Sequence, residues 1–167
     1  MLVGVIADSH DNVPAIIEAV EFFNEKKVGF VIHAGDFIAP FTLKPLEELR
    51  CPWIGVFGNN DGEQKGLTQM SKGRIQPAPY ELNLDGKKVV VVHDLDLFSI
   101  DELAQGGAQV LIFGHTHDPG IEKNANGLLL VNPGELGGWV TGKRTLALLD
   151  TEKLEASLED LPSDQTD

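Results

Sequence analysis

Three short apolar runs near the N-terminus alternate with two segments of helical character, and this order constrains the fold most strongly. The runs cover residues 2–7, 29–34 and 53–57 and read as strands. Between them, residues 13–27 carry apolar side chains at helical spacing, and residues 40–50 predict a second helix. A β-α-β-α-β order implies parallel strands joined by right-handed crossovers.

The second half of the chain predicts more strands than one simple parallel sheet would hold. Asp85-Gly86 is a strong hairpin signal between residues 80–84 and 87–93. In all, the patterns predict roughly nine strands and about four helices. Two packed sheets with helices outside them would accommodate these elements. We expect one domain over residues 1–160 and a polar C-terminal tail over residues 161–167.

Polar residues of metal-ligand type follow most of the apolar runs. In α/β sheets, ligands bind beyond the carboxyl ends of the strands, so we expect these side chains to converge. His33 lies inside a predicted strand and is expected to be structural. The segments concerned are Asp8-Ser9-His10, Gly35-Asp36, Gly58-Asn59, His93 and Gly114-His115-Thr116-His117.

The spacing of these residues suggests a metal site. Asp8 and His10 are two residues apart, and in an extended segment such residues point the same way, so both can face one ion. His115 and His117 repeat this spacing. Asp36 has two carboxylate oxygens and is the natural bridge between two ions. The glycines before these ligands are expected where a strand turns sharply, because glycine tolerates unusual backbone angles.

The donor set contains only oxygen and nitrogen atoms, with no thiolate. That composition argues against a structural zinc site and fits Mn²⁺, Fe²⁺, Ni²⁺, Co²⁺ or Zn²⁺ in a site with open positions. The predicted metal ligands are Asp8, His10, Asp36, Asn59, His93, His115 and His117.

The order Asp-x-His, Gly-Asp, Gly-Asn-x-Asp, His and Gly-His-x-His resembles the calcineurin-like metallophosphoesterase superfamily. The resemblance covers nearly the whole chain, from Asp8 to Asn132-Pro133-Gly134, and the short length is similar to the small bacterial and archaeal phosphodiesterase branch. It implies an α/β fold, a four-layer α/β/β/α sandwich of two mixed β-sheets flanked by helices. It also implies two metal positions, one formed by Asp8, His10, Asp36 and His117 and the other by Asp36, Asn59, His93 and His115.

The same resemblance implies a hydrolase with a binuclear metal centre, a phosphodiesterase in which a metal-bridging hydroxide attacks phosphorus. We expect two divalent metal ions, Mn²⁺ first, with Ni²⁺, Fe²⁺, Co²⁺ and Zn²⁺ as alternatives. Asn60 and Asp61 are the predicted catalytic residues, but many members of the family have His where Asn60 stands. Asn60 cannot act as an acid, so we expect a bias toward diesters with good leaving groups. Asp94 adds negative charge beside His93 and disfavours monoesters.

Two alternatives stay open at the level of sequence. One is a non-catalytic interaction or scaffold protein of the same fold, and the other is a phosphomonoesterase or nucleotidase. A scaffold has no need of a complete ligand set, and all seven ligand positions match here. The enzyme interpretation is therefore the leading one.

Composition limits the kinds of molecule that the protein is expected to bind. The net charge is -13 and no Lys/Arg cluster offers a phosphate track, so a small phosphodiester is expected as substrate and a long nucleic acid is not. No apolar stretch is long enough to span a membrane. Cys51 is the only cysteine, which fits a cytoplasmic protein. Trp139 and the apolar cluster of Leu95, Leu97 and Phe98 are candidate contacts for a homo-oligomer.

Overall fold

Two mixed β-sheets pack face to face in the computed structural model, which describes residues 1–162. The first sheet has the strand order β11-β10-β1-β2-β3-β4 and the second the order β5-β6-β7-β9-β8. The strands are β1 Leu2–Ile6, β2 Phe30–His33, β3 Trp53–Val56, β4 Ile75–Gln76, β5 Tyr80–Leu84, β6 Lys87–Val91, β7 Val110–Ile112, β8 Gly120–Lys123, β9 Leu129–Asn132, β10 Arg144–Asp150 and β11 Glu155–Leu161. The α-helices are α1 Val13–Lys26, α2 Gln64–Met70 and α3 Ile100–Gln105, and 3₁₀ helices span Pro40–Glu48 and Leu95–Leu97.

Helices cover the outer face of each sheet, so the predicted four-layer α/β/β/α sandwich is confirmed. Alternate residues of β1 show why: Val3 and Val5 lie in the core between the sheets, while Ile6 packs in the core beneath α1. A third apolar cluster joins the outer face of β6 and β7 to α3. This alternation is what a strand buried on both faces requires.

The predicted parallel half is also confirmed. Strands β1, β2, β3 and β4 pair in parallel, and β10 adds antiparallel to β1, which makes the sheet mixed. The predicted second helix is a 3₁₀ helix rather than an α-helix, with Pro45 inside it. Proline lacks the N–H that an α-helical ladder needs, and its ring crowds the preceding turn. Strand β4 has only two residues, too few to give a periodic signal.

The C-terminal hairpin is formed by β10 and β11. Strand β11 ends at Leu161, which is buried against the helical layer. The predicted tail therefore starts inside a strand, and residues 163–167 lie outside the described residues. In the described part of the chain, no helix has the length and apolar character needed to cross a membrane.

Candidate metal centre

Side chains from loops of both sheets meet beyond the carboxyl ends of β1 and β7. Asp8 and His10 follow β1, and His117 follows β7. Asp8 Oδ1 lies 3.4 Å from His117 Nε2 and 3.7 Å from His10 Nε2. The two imidazole Nε2 atoms are 3.3 Å apart. These three residues form one group of potential ligands.

A second group adjoins the first. Asp36 follows β2, Asn59 follows β3, His93 follows β6 and His115 lies after β7. Asn59 Oδ1 is 2.9 Å from His93 Nε2 and 2.9 Å from His115 Nδ1. Asp36 Oδ2 is 3.4 Å from His93 Nε2. Four loops therefore contribute one polar side chain each.

Asp36 belongs to both groups. The same Oδ2 atom that faces His93 lies 3.5 Å from His10 Nε2. The structure thus brings all seven predicted ligands together in two adjoining groups, with Asp36 facing an imidazole of each and Asp8 also close to Asp36 and His93. Their role as ligands stays a prediction.

The donor atoms fit divalent metal ions by two criteria. Metal–ligand bonds of about 2.0–2.2 Å place the donors of one ion roughly 3–3.6 Å apart, and the carboxylate–imidazole distances around Asp8 and Asp36 run from 3.4 to 3.7 Å. Asp8 Oδ1 is buried and has no hydrogen-bond partner among the described residues. A buried acceptor left unpaired costs about 1–3 kcal/mol. A cation beside Asp8 would remove that cost.

The backbone that presents these ligands is not extended, which corrects the expected geometry. Asp8, His10, His115 and His117 have φ values of 52°, 42°, 69° and 60°, all in the left-handed region. The i, i+2 rule for extended segments therefore fails here: Asp8 and His10 do share a group, but His115 and His117 face different groups. Non-glycine residues in this region cost about 1–2 kcal/mol each. Such strain is typical of functional sites that the surrounding structure holds in place.

Glycines precede three of the ligands, and only one needs glycine for its backbone angle. Gly35 has a φ of 102°, as expected. At Gly58 and Gly114 the requirement is space instead. A Cβ on Gly58 would lie 2.1 Å from Asp36 Oδ1, and one on Gly114 would lie 2.7 Å from Asp8 Oδ2. Any side chain at these two positions would displace the carboxylates.

Protein oxygens lie beside the second ring nitrogen of two imidazoles. His93 Nδ1 lies 2.8 Å from the Ala34 carbonyl oxygen, so Nδ1 donates and Nε2 faces Asn59 and Asp36. His117 Nδ1 lies 3.5 Å from Glu135 Oε1 without a hydrogen bond to it, and its Nε2 faces Asp8. Metal-binding histidines usually donate their other N–H to a carboxylate or carbonyl in this way.

Glu135 is the site residue that the sequence analysis missed. Its buried carboxylate accepts hydrogen bonds from the backbone N–H groups of Trp139, Val140 and Thr141 and from the Thr141 hydroxyl. Burial favours a higher pKa for Glu135, but these donors outweigh it and lower the pKa. In sequence, Glu135 is one of 26 acidic residues and stands 18 positions after His117, so no local pattern marks it. Only the fold reveals that it faces an imidazole.

Asn60 and Asp61 both contact the loop that carries Asp36. Asn60 donates from its backbone N to Asp36 Oδ1 at 2.9 Å and from Nδ2 to Asp36 Oδ2 at 2.7 Å. Asp61 is buried and accepts from the backbone N–H groups of Gly58, Asp36 and Ile38. It does not cap α2, which begins at Gln64 after Glu63. Asp61 therefore ties two ligand-bearing loops together.

The charges of the site are strongly coupled. Burial raises the pKa of Asp8 to about 7, and the neighbouring Asp36 contributes to this rise. Burial would also raise the pKa of Asp36, but hydrogen bonds from His93 and Asn60 reverse the effect and hold it well below its usual range. Burial would lower the pKa of His93, and its pairing with Asp36 raises it instead. The ligand oxygens of Asp8 and Asp36 lie within 4.8 Å of each other, so added positive charge would stabilise both carboxylates in their ionised form.

His33 has the structural place expected of it. It is buried, its ring stacks on Phe37 at 3.7 Å, and burial lowers its pKa to about 3. Its Nδ1 accepts from Gly35 N, so its Nε2–H donates to Ser9 Oγ at 3.0 Å. Neutral His33 thus joins the two loops that carry Asp8 and Asp36.

Known proteins are similar to this chain in both sequence and fold. The model of the calcineurin-like phosphoesterase superfamily domain matches residues 1–154. A phosphodiesterase of Methanocaldococcus jannaschii is 36% identical over 160 residues, 93% of this chain and 96% of that protein. A probable metallophosphoesterase of Methanothermobacter thermautotrophicus is 34% identical over 162 residues, 95% of this chain and 91% of that protein.

Solved structures agree with the sequence comparison. The structure of an archaeal phosphodiesterase superposes with a TM-score of 0.87 at 36% identity, covering 96% of this chain and all of that one (100%). Vps29 of Entamoeba histolytica superposes with a TM-score of 0.69 at 19% identity, covering 97% of this chain and 100% of that one. The second likeness shows the fold alone.

Proposed function

The chain belongs to the calcineurin-like phosphoesterase superfamily, and we propose on that premise that it is a metal-dependent phosphodiesterase acting on small phosphodiesters. The observation that carries the proposal is the shared Asp36 carboxylate, whose Oδ2 lies 3.5 Å from one imidazole nitrogen and 3.4 Å from another. A phosphodiesterase is also what the 36%-identical relative is named.

Two groups of residues would hold two divalent ions, with Mn²⁺ the first candidate. Asp8, His10 and His117 belong to one position, Asn59, His93 and His115 to the other, and Asp36 to both. When bound, such ions neutralise charge on phosphoryl oxygens and lower the pKa of water. The protein itself contributes orientation, since the Ala34 carbonyl holds the His93 imidazole and the Glu135 carboxylate faces that of His117.

Asn60 and Asp61 have different tasks in this proposal. Asn60 is exposed beside the Asp36 carboxylate, where its amide N–H can donate to a phosphoryl oxygen of the substrate. It has no acidic proton to give to a leaving group, so the rate should depend steeply on the pKa of that group. Asp61 is a positioning residue, because its oxygens accept from backbone N–H groups of both adjoining loops.

The test is turnover of bis-p-nitrophenyl phosphate and p-nitrophenyl phosphate after chelation of metals and addition of Mn²⁺, Ni²⁺, Fe²⁺, Co²⁺ or Zn²⁺ separately. We expect diester hydrolysis with at least one ion and its loss, by about two to three orders of magnitude, in Asp36→Asn. Asp101→Asn, an exposed carboxylate on α3, is the matched control.

Other results would point to other functions. Absence of turnover of both esters with every ion would refute the enzyme and favour an interaction protein of the same fold. Faster turnover of the monoester would favour a phosphomonoesterase or nucleotidase. A cytoplasmic location and a homo-oligomer remain predictions.

A further inference from the structure

An apolar recess opens directly beside the second group of proposed ligands. It has a volume of about 310 Å³, and both Asn59 and His93 form part of its wall. We propose that this recess binds an uncharged aromatic ester group of the substrate, so that the preferred substrate is an aryl- or heteroaryl-bearing phosphodiester. The proposal rests on the phosphodiesterase function and names its substrate class.

The walls of the recess come from three separate parts of the chain. Phe57 follows β3, Pro77 and Ala78 follow β4, and Leu97 and Phe98 come from the 3₁₀ helix after His93 and the residue that ends it. Phe57 and Phe98 are partly buried against different apolar clusters, which holds each of them in place. Aromatic and aliphatic walls of this kind suit a flat ring, which can stack on or pack edge-on to them.

The position and size of the recess limit which chemical group can occupy it. A phosphodiester bound beside Asn59 and His93 has the recess within reach of one of its two ester groups. The volume of about 310 Å³ is at the small end of ligand-binding pockets, so it suits one ring system and not a longer chain of nucleotides.

The charges on the recess wall limit the choice of occupant further. Asp94 lines the recess, with its Oδ2 3.8 Å from His115 Nε2, and no Lys or Arg lies on this wall within residues 1–162. Away from the proposed metal position, a second phosphate or a carboxylate in the recess would meet Asp94 with no lysine or arginine to compensate it. Gln64 adds an amide that can bond a ring heteroatom. The occupant is therefore uncharged.

The experiment measures binding of monoanionic phosphonates to the Mn²⁺-loaded protein by calorimetry. Methyl phenylphosphonate, methyl methylphosphonate and the choline ester of methylphosphonate differ in the group available to the recess. We expect the phenyl compound to bind about tenfold more tightly than the methyl compound, the lower end of what an apolar pocket gives. The phenyl preference should fall to about threefold or less in Leu97→Ser and in Phe98→Leu.

Val140→Ser is the matched control. Val140 is 76% exposed and Leu97 74% exposed, but Val140 lies in the loop around Glu135, away from the recess wall. This variant should keep the wild-type preference. Leu97→Ser changes a surface side chain and should fold normally, so it keeps the test decisive if Phe98→Leu is unstable.

Several outcomes would overturn the recess assignment. One is equal binding of the phenyl and methyl compounds, and another is a phenyl preference that survives in both recess variants. No binding of any phosphonate would also overturn it. Tighter binding of the choline ester would indicate a cation site instead. Turnover of bis-p-nitrophenyl phosphate is measured on the same preparations. Turnover without a phenyl preference refutes the recess alone, whereas absence of turnover with every metal refutes the phosphodiesterase function.

Discussion

Replacement of Glu135 by Gln removes a negative charge that faces His117 and holds a loop. Oε2 accepts from Thr141 N at 2.9 Å, from Thr141 Oγ1 at 2.8 Å and from Val140 N at 3.2 Å, and Oε1 accepts from Trp139 N at 2.7 Å. A Gln amide has one oxygen, so its NH₂ group must face N–H donors in either orientation. With one or two donors unsatisfied at about 1–3 kcal/mol each, we expect a loss of roughly 3 kcal/mol of unfolding free energy. That corresponds to a Tm lower by about 6–12 °C in a domain of this size.

A structural role alone would lower only the Tm. The Glu135 carboxylate lies 3.5 Å from His117 Nδ1, where it would accept that N–H when His117 binds a metal through Nε2. We therefore expect metal affinity to fall by about ten- to a hundredfold. Calorimetric Mn²⁺ titration well below both Tm values measures this directly, without reference to turnover.

The control for this prediction is Thr141→Val. It deletes one hydroxyl donor to Oε2 while leaving the carboxylate opposite His117. It should lower the Tm slightly and leave Mn²⁺ affinity at the wild-type value. If Glu135→Gln also bound Mn²⁺ like the wild type, the positioning role would be refuted and Glu135 would be a loop anchor only.

Three further predictions follow from the site. Asn60→His should accelerate the hydrolysis of esters with poor leaving groups by up to about a hundredfold, the lower range for general acid catalysis. Equal Brønsted slopes for the variant and the wild type would show that the missing acid does not limit the rate. Asp94→Asn should raise the monoester-to-diester ratio of kcat/KM about three- to tenfold, since one charge beside His115 is removed; an unchanged ratio would contradict this. Burial lowers the pKa of His33 to about 3 in the native state, below the unfolded value near 6.5. The unfolded state therefore binds more protons between these pH values. The free energy of unfolding should fall as the pH drops below about 6.5, by up to roughly 1.4 kcal/mol per pH unit. Denaturant titrations at several pH values should show this component in wild type and not in His33→Gln.

Local pattern was enough to predict most of the elements and the ligand-bearing loops. Apolar runs predicted β1, β2 and β3 because these strands are buried on both faces, and helical spacing predicted α1 because it buries one face. The 3₁₀ geometry of Pro40–Glu48 was missed, since the apolar pattern alone did not distinguish it from an α-helix. The extended geometry expected at Asp8 and His10 was wrong, because hydrogen bonds to the neighbouring loop hold a left-handed backbone there.

Sequence by itself thus determined which polar residues stand at strand ends, and so which seven side chains could converge. Tertiary structure alone decided how they divide around Asp36, that Glu135 lies behind His117, that Asp61 joins two loops, and that Phe57 and Leu97 face one recess. The physical reason is the separation along the chain between the residues in contact. Periodicity records the environment of residues within one element, whereas these contacts join loops far apart in the chain, and only the packing of the two sheets brings them within a few ångströms of each other.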